Sequence, residues 1–286
     1  MSGSVTFAFG STRVVVTAPP APLAWLDYFL RPWFDTDAAA GGEARMVELR
    51  LDRSAYEAVP RDSVAGERVD CYLLDTGVVS HAVAGREEGR LWIDDRDLGV
   101  AYGIDEDRHL LVVAANDGPG ARVALMRVVR ELAVTDALAN GRPLLHAAVV
   151  DIDGAATAIC GSKRAGKSSL MLHLLQQTGA RFGANDRAVA RRTDGQWLVR
   201  GMPTITALRA DSLARFPHAA AKLRSARDRH WLRPEEAAAT QSQPWADASR
   251  PMDLAPASLC ALLDVEPVAE LPLGTLLFPR IDASAG

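Results

Sequence analysis

Gly161-Ser162-Lys163-Arg164-Ala165-Gly166-Lys167-Ser168 is the stretch that decides how this chain is read. It fits the phosphate-loop pattern G-x-x-x-x-G-K-S/T at every fixed position, and each position has a physical task. The glycines let the backbone fold into a nest whose N–H groups point at phosphate oxygens. Lys167 reaches the β- and γ-phosphates as a mobile point charge. The Ser168 hydroxyl can ligate Mg²⁺, and Ser169 continues the expected binding run into a helix whose N-terminal dipole would add to the anion site. Lys163 and Arg164 are extra cations inside the loop, either set near the phosphates or simply solvated.

The flanks suit the loop. Ala156-Thr157-Ala158-Ile159-Cys160 is a short apolar run with β-branched residues, as a buried strand requires. Ser169 to Gln177 is rich in helix formers, with Leu170 and Leu174 on one face, and Thr178-Gly179 supplies a stop.

The chain has 286 residues, room for two modest domains or one large one. Its formal charge of −4 argues against a general nucleic-acid binder. No apolar stretch would span a bilayer and no signal peptide is evident, so the reading is of a cytoplasmic protein with no membrane partner. Cys71, Cys160 and Cys260 have neither metal-ligand nor disulfide-framework spacing and read as reduced packing thiols. A homo-oligomer is left open.

Residues 1–140 read as a strand-rich α+β domain. Val5 to Phe9 and Arg13 to Thr17 flank a Gly10-Ser11-Thr12 hairpin signal. Pro22 to Phe34 reads as a helix with Leu23, Leu26, Leu30 and Phe34 as its buried stripe. Trp25, Phe29 and Trp33 add aromatic bulk, core in the first reading and a nucleotide platform in the second. Strands are expected at Met46–Leu51, Asp70–Leu74, Val78–Val83, Arg90–Ile93, Gly99–Ile104 and Leu110–Val113. The acids within Leu91–Asp97 read as a solvated turn. A helix from about Gly120 to Leu138 has Leu125, Val128 and Leu132 on its apolar side.

Residues 141–286 alternate strand and helix. Strands are expected at Leu144–Ile152, Ala156–Cys160, Arg181–Gly183, Ala188–Arg191 and Gln196–Val199, with turns at Gly154 and Thr193-Asp194-Gly195. Residues 217–256 have few large apolar side chains and read as a mobile excursion, while Leu259–Val265 reads as a late core strand. In a parallel phosphate-loop sheet, strand ends beside the loop face the γ-phosphate. His146 and Asp186 fall at two such ends, where a carboxylate can bind Mg²⁺ or take a proton from an attacking hydroxyl.

Three stretches together resemble the catalytic domain of HPr kinase/phosphorylase. They are Leu145 to Gly154, Ile159 to Ser168, and Gly179 to Asp186. Leu145-His146, Asp151 five residues on, and the loop fifteen residues on agree with the family's spacing. Ala147 stands where the family has Gly, and Asn185 where it has the first Asp of an Ala-Asp-Asp element. Arg200-Gly201 is similar to a later Arg-Gly element, but Leu198 stands where the family has a metal-binding Glu. The layout, with Gly201-Met202-Pro203 and Leu208-Arg209, is also similar to HPr-kinase-related proteins of biosynthetic gene clusters, including kinases of lasso-type precursor peptides.

The resemblance implies a fold of the HPr kinase and ATP-dependent carboxykinase type for residues 141–286. It implies transfer of the γ-phosphoryl group of ATP, or another nucleoside triphosphate, to a hydroxyl of a peptide, protein or small molecule. Lys167, the loop N–H groups and Mg²⁺ on Ser168 would neutralise charge; Asp186 would activate the acceptor, with His146 assisting, or would itself hold Mg²⁺. Asp151 has two readings, holding His146 or capping a turn. The rivals are a nucleotide-binding switch or regulatory ATPase, of which a switch would carry base-specificity motifs such as Asn-Lys-x-Asp that this chain lacks, and a binding protein whose catalysis has decayed.

Overall fold

The structure, a computed structural model, describes residues 2–36, 44–60, 67–74, 77–87, 89–105, 109–162, 165–208, 215–217, 219, 221 and 252–280; within these, side chains are described except at 70–82 and 252. It is a mixed α/β protein in which sheet outweighs helix. The chain divides into two compact units. One comprises Met1–Tyr28 and Phe34–Asp136, the other Phe29–Trp33 and Ala137–Gly286. Among the described residues no helix is long and apolar enough to cross a membrane.

The first unit is built on nine strands: β1 Gly3–Phe9, β2 Thr12–Ala18, β3 Asp35–Thr36, β4 Arg45–Leu51, β5 Arg68–Leu74, β6 Gly77–Glu87, β7 Arg90–Asp95, β8 Val100–Ile104 and β9 Leu110–Ala114. They form one sheet in the order β3-β1-β2-β4-β9-β8-β7-β6-β5. The pairs β2–β4 and β4–β9 are parallel and the rest antiparallel. Gly10 takes the left-handed turn between β1 and β2 at φ 62°, a conformation that costs glycine nothing. Helix α1 spans Pro20–Leu30, shorter than the run to Phe34 expected from its apolar stripe. Pro32 has no N–H to donate, so the ladder cannot pass it. Trp25, Phe29 and Trp33 are all buried, which makes them core and removes the platform reading. The acids of Leu91–Asp97 also depart from expectation. Asp95 ends β7 nearly buried and accepts from the Leu98 N–H at 3.2 Å, pinning the next turn from inside. A short helix α2 (Arg53–Glu57), capped by the Asp52 carboxylate, follows β4. Helix α3 (Pro119–Ala139) lies over Ile93, Tyr102, Ile104 and Leu110, with Val128 and Leu132 bounding a cavity of about 190 Å³.

In the second unit, β10 (Leu144–Ile152) turns through Asp153-Gly154 into β11 (Ala155–Cys160). The loop and α4 (Lys167–Leu174) follow, then β12 (Arg181–Ala184), β13 (Arg187–Thr193) and β14 (Gln196–Met202). The pair β15 (Thr206–Leu208) and β16 (Met252–Leu254), helix α5 (Pro256–Leu263) and β17 (Glu270–Leu277) complete it. Asp153, Gly154, Asp194 and Gly195 all have positive φ, the signature of two-residue hairpins whose twist matches the strands. Such short links can only join antiparallel strands. The sheet is therefore antiparallel, except for the β11–β17 pair, and not the parallel sheet expected.

The ladders close on themselves, β10–β11–β17–β14–β13–β10, with β12 extending β13 along β10. A five-stranded ring leaves little interior room, since diameter grows with strand number. Small inward residues answer this constraint: Ala147, Ala156, Ala158, Ala184, Ala188 and Ala190, with Val149, Val199 and Leu271, are one buried cluster. Gly201 shows how tight the packing is. A Cβ there would collide with the Gly183 carbonyl oxygen and lie 2.6 Å from Trp33 Nε1, which donates to that same carbonyl. Gly201→Ala should lower stability in denaturant unfolding by about 1–3 kcal/mol, as overpacking does; an unchanged midpoint would contradict this packing.

Leu259–Val265, read above as a strand, lies mostly in α5. Short apolar runs do not distinguish a strand from a buried helix. Here Pro256 opens the helix and Asp264, left-handed at φ 58°, stops it, while Leu259, Cys260 and Leu262 face the core. Burial pushes the Cys260 thiol up to about 12, which fits a packing role. The 217–256 excursion lies outside the described residues apart from 217, 219, 221 and its end at 252–256.

Outside the ring, Glu270 ties three strands. It accepts from Arg191 Nε at 3.1 Å and Nη2 at 2.6 Å, and Arg200 Nε lies 3.5 Å away. The Arg191 hydrogen bonds hold its carboxyl below the usual carboxylate range, with Arg200 adding to the effect. A depressed folded value means the stabilisation is complete above the ordinary value of about 4.5 and is lost as pH falls through the lowered one. Glu270→Gln should therefore cost about 1 kcal/mol at neutral pH and flatten the acid limb of the stability curve. An acid limb identical to wild type would contradict it.

Candidate functional site

The loop leaves β11 at Cys160 and enters α4 at Lys167. Gly166 makes the entry at φ 92°, ψ 8°, a left-handed turn that a β-carbon would strain. The Ala165 N–H bonds the Ser162 carbonyl at 3.2 Å, and Leu170 N–H bonds the Gly166 carbonyl at 2.9 Å to start the helix. Lys167 Nζ folds over the loop and donates to the carbonyls of Gly161 at 2.8 Å and Ser162 at 3.2 Å. Ser168 and Ser169 are exposed on the first turn; Lys163 and Arg164 lie outside the described residues. Met171 and Leu172 bury the other side of α4, which packs on β10 and β11. The thiol of Cys160, at the strand end, is pushed up by burial and drawn back by the charge of Lys167.

Register places the rest. Ala147 of β10 pairs with Cys160, so His146 stands at the level where β11 gives way to the loop. On the other side of β10, His146 pairs with Arg187, the first residue of β13. Asp186 falls in the break between β12 and β13, where the ladder opens beside His146. Its Oδ1 lies 3.0 Å from His146 Nε2, and both side chains are about one-third exposed. The structure thus brings His146 and Asp186 together at the loop end of the ring.

Asn185 is turned inward. Its Oδ1 accepts from Thr204 Oγ1 at 2.7 Å and its Nδ2 donates to the Ile205 carbonyl at 3.3 Å. An amide can do both; a carboxylate could only accept. The residue standing where the resembling family has its first Asp is therefore a tie to the 204–205 segment.

Asp151 is not part of the group, and neither reading given above holds. Five residues up β10, it is about 17 Å from His146 at strand rise. It is nearly buried and accepts from Arg181 Nε at 2.6 Å across the β10–β12 ladder. Sequence reasoning also missed Arg187. Its side chain is 9% exposed and its Nε lies 3.6 Å from Asp186 Oδ2, so Asp186 sits between an imidazole and a guanidinium. Only its place directly after Asp186 could have signalled it.

Among the described residues no group of three or more His, Cys, Asp or Glu could hold a metal. That excludes an all-protein cage there, not the two-ligand arrangement typical of Mg²⁺ with nucleotide phosphates, which needs one hydroxyl or carboxylate and the phosphates themselves. Exposed Ser168 and partly exposed Asp186 have the right hard oxygen donors for it. Compared with known protein families and with curated proteins, the chain matches none.

Proposed function

We propose that the chain is an ATP-dependent phosphotransferase of the HPr kinase and carboxykinase type, moving a γ-phosphoryl group to a hydroxyl of a peptide, protein or small molecule. The observation that carries the reading is the His146–Asp186 pair, 3.0 Å apart, at the strand level where the Gly161–Ser168 loop begins. A phosphate loop alone suits a switch or an ATPase equally; a paired, solvent-reachable carboxylate beside it suits an acceptor hydroxyl.

Bound MgATP would supply the transferable group and much of the charge neutralisation, with the Ser168 hydroxyl as the protein's oxygen donor to the metal. Lys167 exchanges its two carbonyl partners for phosphate oxygens, so its charge reaches the nucleotide without a net loss of hydrogen bonds. Asp186 accepts the acceptor's proton as the new O–P bond forms and the bond to the β-phosphate oxygen breaks, leaving ADP. His146 holds one carboxylate oxygen of Asp186 and so fixes the direction of the other.

Incubating the protein with ATP, Mg²⁺ and cell extract, followed by mass spectrometry, tests the reading. New phosphorylated species that a Lys167→Ala control does not produce support it. ATP turned over to inorganic phosphate with no such species favours the regulatory ATPase, and no turnover at all favours a binding protein.

A further inference from the structure

We infer that Phe278, with Leu276 beside it, is the platform on which the base of a nucleoside triphosphate stacks; this rests on reading the Gly161–Ser168 loop as a triphosphate site. The strand β17 runs parallel to β11 with Leu277 opposite Ile159. Phe278 therefore lies alongside Cys160, one step before the loop. The chain stays close as it continues: the Pro279 carbonyl oxygen is 4.0 Å from where a β-carbon on Gly161 would stand.

Exposure marks the residue out. Of the seven phenylalanines in the chain, the other six are buried, and Phe278 is 72% exposed. Leu276, two residues earlier and near the end of β17, is 47% exposed. Scattered apolar side chains on a surface need no explanation. An exposed phenyl ring one residue past the end of β17 and an exposed leucine near that end form an apolar ledge beside the phosphate loop, and a nucleotide held by its phosphates carries a flat base into that neighbourhood. A phenyl ring stacks on any base, without hydrogen-bond readout. The ligand class is therefore a nucleoside triphosphate with little base selectivity from this ledge, a purine covering the most ring area.

The test compares MgATP with Mg-tripolyphosphate, which has the phosphates and no base, on wild type, Phe278→Ala and Phe278→Trp. The expected result is that Phe278→Ala weakens ATP binding about 5- to 150-fold, the range for loss of one base stack, and leaves tripolyphosphate binding unchanged. Phe278→Trp should keep ATP affinity, and its added indole emission, taken as the difference from wild type, should be quenched by ATP and not by tripolyphosphate. Equal ATP affinity in wild type and Phe278→Ala, with no quenching in Phe278→Trp, would overturn the platform while leaving the loop reading intact. Failure of both ligands to bind wild type would overturn the loop reading, and the platform with it.

Discussion

Asp186→Asn is expected to cut phosphoryl-transfer turnover by about 10²–10⁴-fold, the usual contribution of a general base, while ATP affinity stays close to wild type. The amide keeps the shape of the side chain and an oxygen for His146 Nε2, now 3.0 Å from the carboxylate, so the fold should not change. What it loses is the capacity to take a proton. The same carboxylate has a second possible use, because Asn185 is committed to Thr204 and Ile205 and leaves Asp186 as the one acid of the pair. If Asp186 holds Mg²⁺, the variant should also bind MgATP more weakly, and added Mg²⁺ should restore part of the loss. Steady-state kinetics at two Mg²⁺ concentrations separates the roles. Wild-type transfer by Asp186→Asn would eliminate both.

Lys167→Ala should weaken MgATP binding by about 10- to 150-fold, since a charge-assisted hydrogen bond to a phosphate contributes about 1.5–3 kcal/mol. The side chain also ties the loop to itself through the Gly161 and Ser162 carbonyls, so the variant loses pre-organisation as well as charge. Calorimetric titration with MgATP is the measurement. Equal affinity in the two proteins would remove the loop from the account.

The parts of this architecture that are local in sequence were legible in it. Gly161 to Ser168 announced a strand, a turn and a helix, and β11, the loop and α4 follow in that order. Gly154 and Thr193-Asp194-Gly195 announced turns; that these turns are hairpins follows from the positive φ of both residues of each Asp-Gly pair, which Gly adopts freely and Asp tolerates. The ring could not be read. Its closure depends on β17 pairing with β11 and β14, partners far away in sequence, and no local pattern encodes which strands meet. Nor could the partner of Asp151 be read, because register decides it: Arg181 happens to fall opposite. His146 and Asp186 were nameable only through spacing around the loop and resemblance to a family. Their 3.0 Å contact follows from the break between β12 and β13, which Asn185-Asp186 occupies. The Leu259 run went to a helix because packing, not periodicity, chooses between the two for so short a segment.

The most direct test of the central claim follows the terminal phosphate of ATP. Wild type, Lys167→Ala and Asp186→Asn are each given ATP labelled in the γ-phosphoryl group, with Mg²⁺ and the acceptor found in extract, and the label is located. Label bound covalently to an acceptor hydroxyl in wild type, and nearly none in either variant, is the expected result. Label found only in inorganic phosphate, or transfer to the acceptor that survives both substitutions, would contradict it.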